Sequence, residues 1–187
     1  MRRRTLIAGA LLWPGLAVGQ GVPLWRAVPE RSSIRFVYVI DGAEAEGRFR
    51  AFRAEGRFDL DRPEAAELDL AIEADSIDLG NRLVNVYATS GEWFDTGAHP
   101  LVRYSLSALS SLGAGRYAAE GIAVVKGRAA PVAAELALAI GRDEARATGS
   151  LGLSRSEFDL GTELTDLVVD LGDRVTVRFD LVARRAT

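Results

Sequence analysis

Apolar side chains return at every second position over long stretches of this chain. Ile34, Phe36, Tyr38 and Ile40 alternate with Arg35, Val37 and Val39; Leu68, Leu70, Ile72 and Ala74 alternate with Glu67, Asp69, Ala71, Glu73 and Asp75. Val175, Val177, Phe179 and Leu181 alternate with Arg174, Thr176, Arg178 and Asp180. In an extended strand successive side chains point to opposite faces, so each segment presents one greasy face and one wetter face. Strands of this kind must close over a shared interior. What fills that interior decides what the chain does.

The same period predicts strands over Leu24 to Val28, Ser32 to Ile40, Ala66 to Asp75, Leu101 to Leu109, Tyr117 to Val125, Ala129 to Ile140, Ala145 to Leu153 and Arg174 to Ala183. Arg48 to Asp61 is extended as well, with a change of apolar parity near Gly56 that predicts a bulge or bend. Asp41-Gly42, Gly113, Gly115, Lys126-Gly127, Gly141 and Gly172-Asp173 supply turn chemistry between strands. Only Asn81 to Ser90 departs from alternation: Leu83, Val84, Val86 and Tyr87 fit helical spacing, with Asp78 or Asn81 as cap and Gly91 as stop. About eight strands and one helix predict an antiparallel barrel or sandwich, since βαβ units would need several helices.

The 187 residues suit one domain with a substantial core. Arg2, Arg3 and Arg4, an apolar stretch from Thr5 to Val18, and Ala17-Val18-Gly19 have the form of a cleaved export signal. The expected division is a signal peptide over residues 1–19 and a barrel domain over 20–187, in an exported protein. Arg3-Arg4-Thr5-Leu6-Ile7 also loosely matches a twin-arginine signal, so the export route stays open. Removing the three arginines takes the net charge from −3 to −6. That acidity argues against nucleic acid as a partner, which requires clustered cations.

Chemistry is sparse. With no cysteine there are no disulfides, thiolates or iron–sulfur ligands. His99 is the only histidine, so a zinc site of three or four His or Cys ligands cannot be built; no metal is expected. Beside Pro100, His99 is read first as a packed corner residue. Gly149-Ser150-Leu151-Gly152 lacks the spacing of a nucleophile elbow, and Gly121 to Gly127 lacks the Ser or Thr of a phosphate loop. Glu44, Glu46, Glu67, Asp69, Glu73 and Asp75 fall where a solvated strand face needs them; a glycosidase pair among them stays open at this level. A non-enzyme is expected.

Several segments, taken together, resemble the YceI-like family of exported lipid-binding proteins. Ser33-Ile34-Arg35-Phe36 resembles its opening strand, and Phe49 to Asp59 its aromatic-rich second segment. Ala74 to Gly80 is similar to its serine–isoleucine turn, and Trp93-Phe94-Asp95 with His99-Pro100 to its aromatic–aspartate corner. Gly121, Val125-Lys126-Gly127 and Pro131-Val132 match its hairpin, and Ser154 to Asp159 its arginine–acid–phenylalanine segment. Tyr87 to Gly91 and the long apolar stretch Gly161 to Leu171 depart from the pattern. The resemblance implies an extended, lipocalin-like barrel of eight antiparallel strands with one short inserted helix. It also implies a periplasmic binder or carrier whose cavity holds a polyisoprenoid or isoprenoid quinone.

The lining expected for such a cavity is Ile34, Phe36, Tyr38, Leu70, Ile72, Phe94, Tyr104, Leu106, Leu138, Phe158, Val177 and Phe179. From the residues alone, a filled core is an equal reading. Burying hydrocarbon gains about 0.8 kcal/mol per methylene, so about ten carbons give ~8 kcal/mol, roughly micromolar affinity against water. A bilayer offers the same gain, so selectivity must come from cavity length and from polar contacts at its mouth. Arg82, His99 and Arg155 are the candidate head-group partners. No other cofactor is expected. The alternative is a filled-barrel scaffold that binds a membrane protein such as a b-type cytochrome. A transient membrane or membrane-protein contact is a further expectation, with monomer and homodimer both open.

Overall fold

The computed structural model describes residues 22–59, 62–162 and 169–186. The expected signal segment, 1–19, lies outside them. Eleven strand segments follow one another in chain order. They are β1 (Leu24–Ala27), β2 (Ser33–Ile40), β3 (Ala43–Phe49), β4 (Phe52–Arg57), β5 (Glu67–Glu73) and β6 (Ile77–Asp78). After helix α1 (Arg82–Ala88) come β7 (Leu101–Gly113), β8 (Arg116–Val125), β9 (Arg128–Ile140), β10 (Glu144–Ser154) and β11 (Arg174–Arg185).

The eleven segments make eight strands, because the first three strands are each broken once. β1 and β2 share the edge of β11, with Ala27 opposite Ala183 and Ile34 opposite Phe179. β3 pairs with β2 while β4 pairs with β1. β5 and β6 continue the same ladder against β4 and β3. From there β7, β8, β9, β10 and β11 each pair antiparallel with the strand before. The last strand then returns to the first, so the sheet closes as an eight-stranded up-and-down barrel and its edges disappear.

The three breaks lie side by side. Pro29 opens a 3-10 turn over Pro29–Arg31, as suits a residue with fixed φ and no N–H. Arg50 and Ala51 interrupt the second strand, and a 3-10 turn over Ala74–Ser76 interrupts the third. Backbone hydrogen bonds stitch the kink: Arg50 N–H donates to Ser76 O (3.1 Å) and Glu73 N–H to Ala51 O (3.0 Å). On the first strand the Ser32 hydroxyl donates to Val28 O (2.8 Å) and accepts from Val182 N–H (2.9 Å). The bend expected near Gly56 is therefore at Arg50 and Ala51. Gly56 sits in the regular ladder, between Trp25 and Leu68, where an added Cβ would stand 2.8 Å from Glu67 O.

Turns follow their residues. Asp41-Gly42 and Lys126-Gly127 each have two positive φ values (50° and 74°, 48° and 74°), the geometry that matches strand twist in two-residue hairpins. Asn81 caps α1, its side chain accepting from Leu83 N–H (2.9 Å) and Val84 N–H (3.4 Å). The helix ends at Ala88, three residues before the expected stop at Gly91.

Candidate functional site

The barrel is hollow. A cavity of about 530 Å3 runs from Trp25, Phe58 and Ile140 at one end to α1, Trp93, Leu160 and Leu171 at the other. That volume is in the range of pockets that enclose drug-sized ligands. Inward positions alternate with outward ones along every wall, which is why the lining is almost wholly hydrocarbon. The hollow itself follows from residue size. Ala27, Ala54, Ala119, Ala123, Ala134, Ala147 and Ala183 all occupy inward positions on the lining, and each leaves space that a Leu or Phe would fill.

Glycines let aromatic rings lie flat against the wall. Phe36 stands opposite Gly47, and Phe179 opposite Gly149, so the ring occupies the place of the missing side chain. A Cβ on Gly149 would meet Phe179 Cζ at 2.6 Å, and one on Gly121 would meet the Tyr104 ring at 2.5 Å. Phe49 bridges two further rings, 5.5 Å from Phe36 and 5.8 Å edge-on to Phe94.

All twelve residues named for the lining border this cavity. Phe158, 1% exposed in a 3-10 turn over Ser156–Phe158, packs with Val125 and Val132 and serves as much to plug that end as to line it. The head-group candidates are another matter. Arg82 is the first residue of α1, exposed and off the cavity. His99 packs on the Lys126-Gly127 turn, where a Cβ on Gly127 would stand 2.8 Å from its Cε1, so it is the corner residue and borders no lumen.

Arg155 does border the cavity, buried at 6% exposure, but its guanidinium faces the backbone. Nη1 donates to Leu160 O and Gly161 O (both 2.9 Å), Nη2 to Leu171 O (2.9 Å) and Nε to Gly172 O (3.2 Å). Four of its roughly five N–H groups are thus spent on carbonyls of the loop between β10 and β11. It is a knot for that loop. Lys126 does similar work nearby, donating to Asp159 O (2.8 Å) and Glu92 O (3.2 Å).

Among the described residues that line the cavity are two phenols set in its wall. Tyr38 and Tyr104 line it, and neither hydroxyl hydrogen-bonds to a described protein group. Burial pushes both phenols up from their ordinary pKa, so both are neutral donors at physiological pH. Alternation alone missed part of the rim: Leu79, Val84, Tyr87, Trp93, Val169 and Leu171 also border the cavity. Their signal was present in the sequence as apolar side chains outside any strand, in the helix and the loops.

A closed antiparallel barrel around an elongated apolar cavity, with one short helix at its mouth, defines a lipocalin-like class. A YceI-like domain matches residues 25–183, and the chain belongs to that family. No curated protein matches the sequence. Among solved structures, Burkholderia cenocepacia BcnA is 27% identical with a TM-score of 0.79, covering 86% of this chain and 99% of its own. A Saccharophagus degradans domain described as polyisoprenoid-binding and implicated in plant cell wall breakdown is 16% identical, TM-score 0.70, covering 87% and 98%. A Campylobacter jejuni YceI protein is 16% identical, TM-score 0.67, covering 78% and 87%. The latter two resemble this chain in fold.

Proposed function

We propose that this protein is a periplasmic carrier or reservoir for an isoprenoid lipid, a polyisoprenoid or isoprenoid quinone, held in the barrel lumen. The observation that carries the reading is the continuous apolar cavity of about 530 Å3 inside a barrel whose wall is otherwise well packed. A scaffold with a filled interior has no use for such a space. The family and the polyisoprenoid-binding neighbour support the same class of ligand, and the arginine-led apolar leader supports export.

The mechanism is partition. Hydrocarbon leaves water for the lumen at about 0.8 kcal/mol per methylene, a gain the bilayer matches. Preference for the protein then rests on length and on the phenols. A carbonyl or hydroxyl oxygen placed beside Tyr38 or Tyr104 accepts a hydrogen bond in a low-dielectric site. A bare hydrocarbon leaves that donor unused.

Mass spectrometry of an organic extract from protein purified from an isoprenoid-producing host tests this. A long-chain isoprenoid recovered near one per chain is expected. Extracts that contain only bulk phospholipid in proportion to the host membrane would refute it.

A further inference from the structure

Helix α1 is apolar on both faces. Inward, Val84, Tyr87 and Ala88 border the lumen. Outward, Leu83 is 80% exposed and Val86, one turn on, 63% exposed. Val84 and Tyr87 are themselves 43% and 45% exposed, so one apolar surface runs from inside the barrel to its exterior. Four of the seven large apolar side chains exposed among the described residues sit on this single seven-residue helix. A surface helix ordinarily turns polar residues outward. Here the polar ones are Arg82 and Asn85, and the Asn85 side chain is turned to the backbone, accepting from Leu79 N–H (2.7 Å).

The surroundings suit a lipid headgroup layer. Arg82 is exposed at the start of the helix, and no described side chain hydrogen-bonds it or forms an ion pair with it. Arg48 on β3 and Arg50 in the break that follows it are each more than half exposed, and share the single carboxylate of Asp78 on β6, the strand leading into the helix. Tyr87 sets its ring at the apolar boundary and donates its hydroxyl to Glu92 (2.7 Å). Exposed leucine and valine flanked by arginine is the pattern of a segment that lies in a membrane interface and favours anionic lipid.

We propose that α1 docks the barrel mouth on a lipid bilayer, so that a hydrocarbon chain passes between membrane and lumen without crossing open water. This rests on the reading of the lumen as a lipid site. A chain released into water exposes its methylenes as it goes, a barrier that grows with chain length. A mouth whose apolar rim is seated among headgroups removes it.

The test pairs the full protein with the variant Leu83→Ser/Val86→Ser, which changes outward side chains and leaves the lining alone. Two properties are measured: co-flotation with ligand-free vesicles of phosphatidylcholine and phosphatidylglycerol, and the rate at which a short-tailed isoprenoid quinone passes from such vesicles to protein. The variant is expected to lose about tenfold in both, while its capacity for quinone delivered from ethanol stays unchanged. Equal flotation and equal transfer rates would overturn the proposal. So would a wild-type dimer, seen in sedimentation, that ignores vesicles and is split by the double substitution, which would assign this face to a second copy. Wild-type protein that floats through α1 but takes up no quinone by either route would uphold the docking face and refute the lumen reading.

Discussion

Replacing Ala147 by phenylalanine distinguishes a hollow barrel from a filled one. Ala147 points inward from β10, flanked by Leu138 on β9 and Leu181 on β11, and borders the cavity. It is only part-buried although it faces the barrel interior, because the surface it retains is that of the lumen. Phenylalanine adds a ring of about six carbons to that space. At about 0.8 kcal/mol per displaced ligand carbon, ~5 kcal/mol of binding is lost if the guest cannot move. About half of that is lost if the guest shifts along the lumen. At 1.4 kcal/mol per decade, the predicted weakening lies between about 50-fold and about 3,000-fold. Trp25 and Trp93 both border the cavity, so quenching of their fluorescence by a short-tailed isoprenoid quinone supplies the titration. Thermal unfolding of the ligand-free protein gives the second reading. In a filled core the added ring costs about 1–3 kcal/mol in strain, and each kcal/mol lowers Tm by roughly 2–4 °C in a chain of this size. In a hollow one the ring enters vacant space, and Tm holds within about 2 °C. Ser150→Phe, outward on the same strand, controls for the substitution itself. Unchanged quinone affinity together with a lowered Tm would refute the reasoning.

Arg155→Ala strands four loop carbonyls and should cost about 3 kcal/mol, visible as a Tm drop of roughly 6–12 °C. A stable variant that has lost only its preference for a polar-headed ligand would restore the head-group role. Gly121→Ala drives a methyl into the Tyr104 ring and Ser105 O (2.5 and 2.6 Å), and a loss of about 2 kcal/mol in chemical denaturation is expected; no loss would show that the wall yields freely. Asp78 is held well below the usual carboxylate range, chiefly by the hydrogen bonds from Arg50, with Gly80 N–H and Arg48 adding to it. Its folded pKa is depressed, so its stabilisation is complete above the unfolded carboxylate value and fades as pH falls toward the folded one. The Tm gap between wild type and Asp78→Asn should therefore be widest near neutrality and narrow below about pH 4; a gap independent of pH would contradict the assignment.

Much of the barrel was legible because its signal is local. Alternation at Ile34 to Ile40 or Val175 to Leu181 needs no knowledge of partners, and Asp41-Gly42 and Lys126-Gly127 announce their hairpins by the positive φ they require. β3 was hidden for a physical reason. Ala45 and Gly47 are small where they face the Tyr38 and Phe36 rings, so before Phe49 at its end the strand shows no large apolar rhythm. The kink at Arg50 and Ala51 is a property of three strands together, and no single segment encodes it. Arg155 shows the corresponding limit for the site. An arginine between Ser154 and Ser156 reads the same whether its guanidinium meets a guest or four carbonyls, and only the closure of the loop decides. The hollow likewise depends on alanines lying side by side on the wall, as Ala119 opposite Ala134 on β8 and β9 with Ala147 on the next strand, a coincidence of register between neighbouring strands.

The most direct test places a protonated isoprenoid quinone in deuterated protein whose leucine, valine and phenylalanine side chains alone carry protons, and records the nuclear Overhauser contacts between them. The tail should contact Phe36, Leu136, Phe179 and Val177 from within. Contacts confined to outward residues such as Leu112, with silence from those four, would show that the guest never enters the barrel.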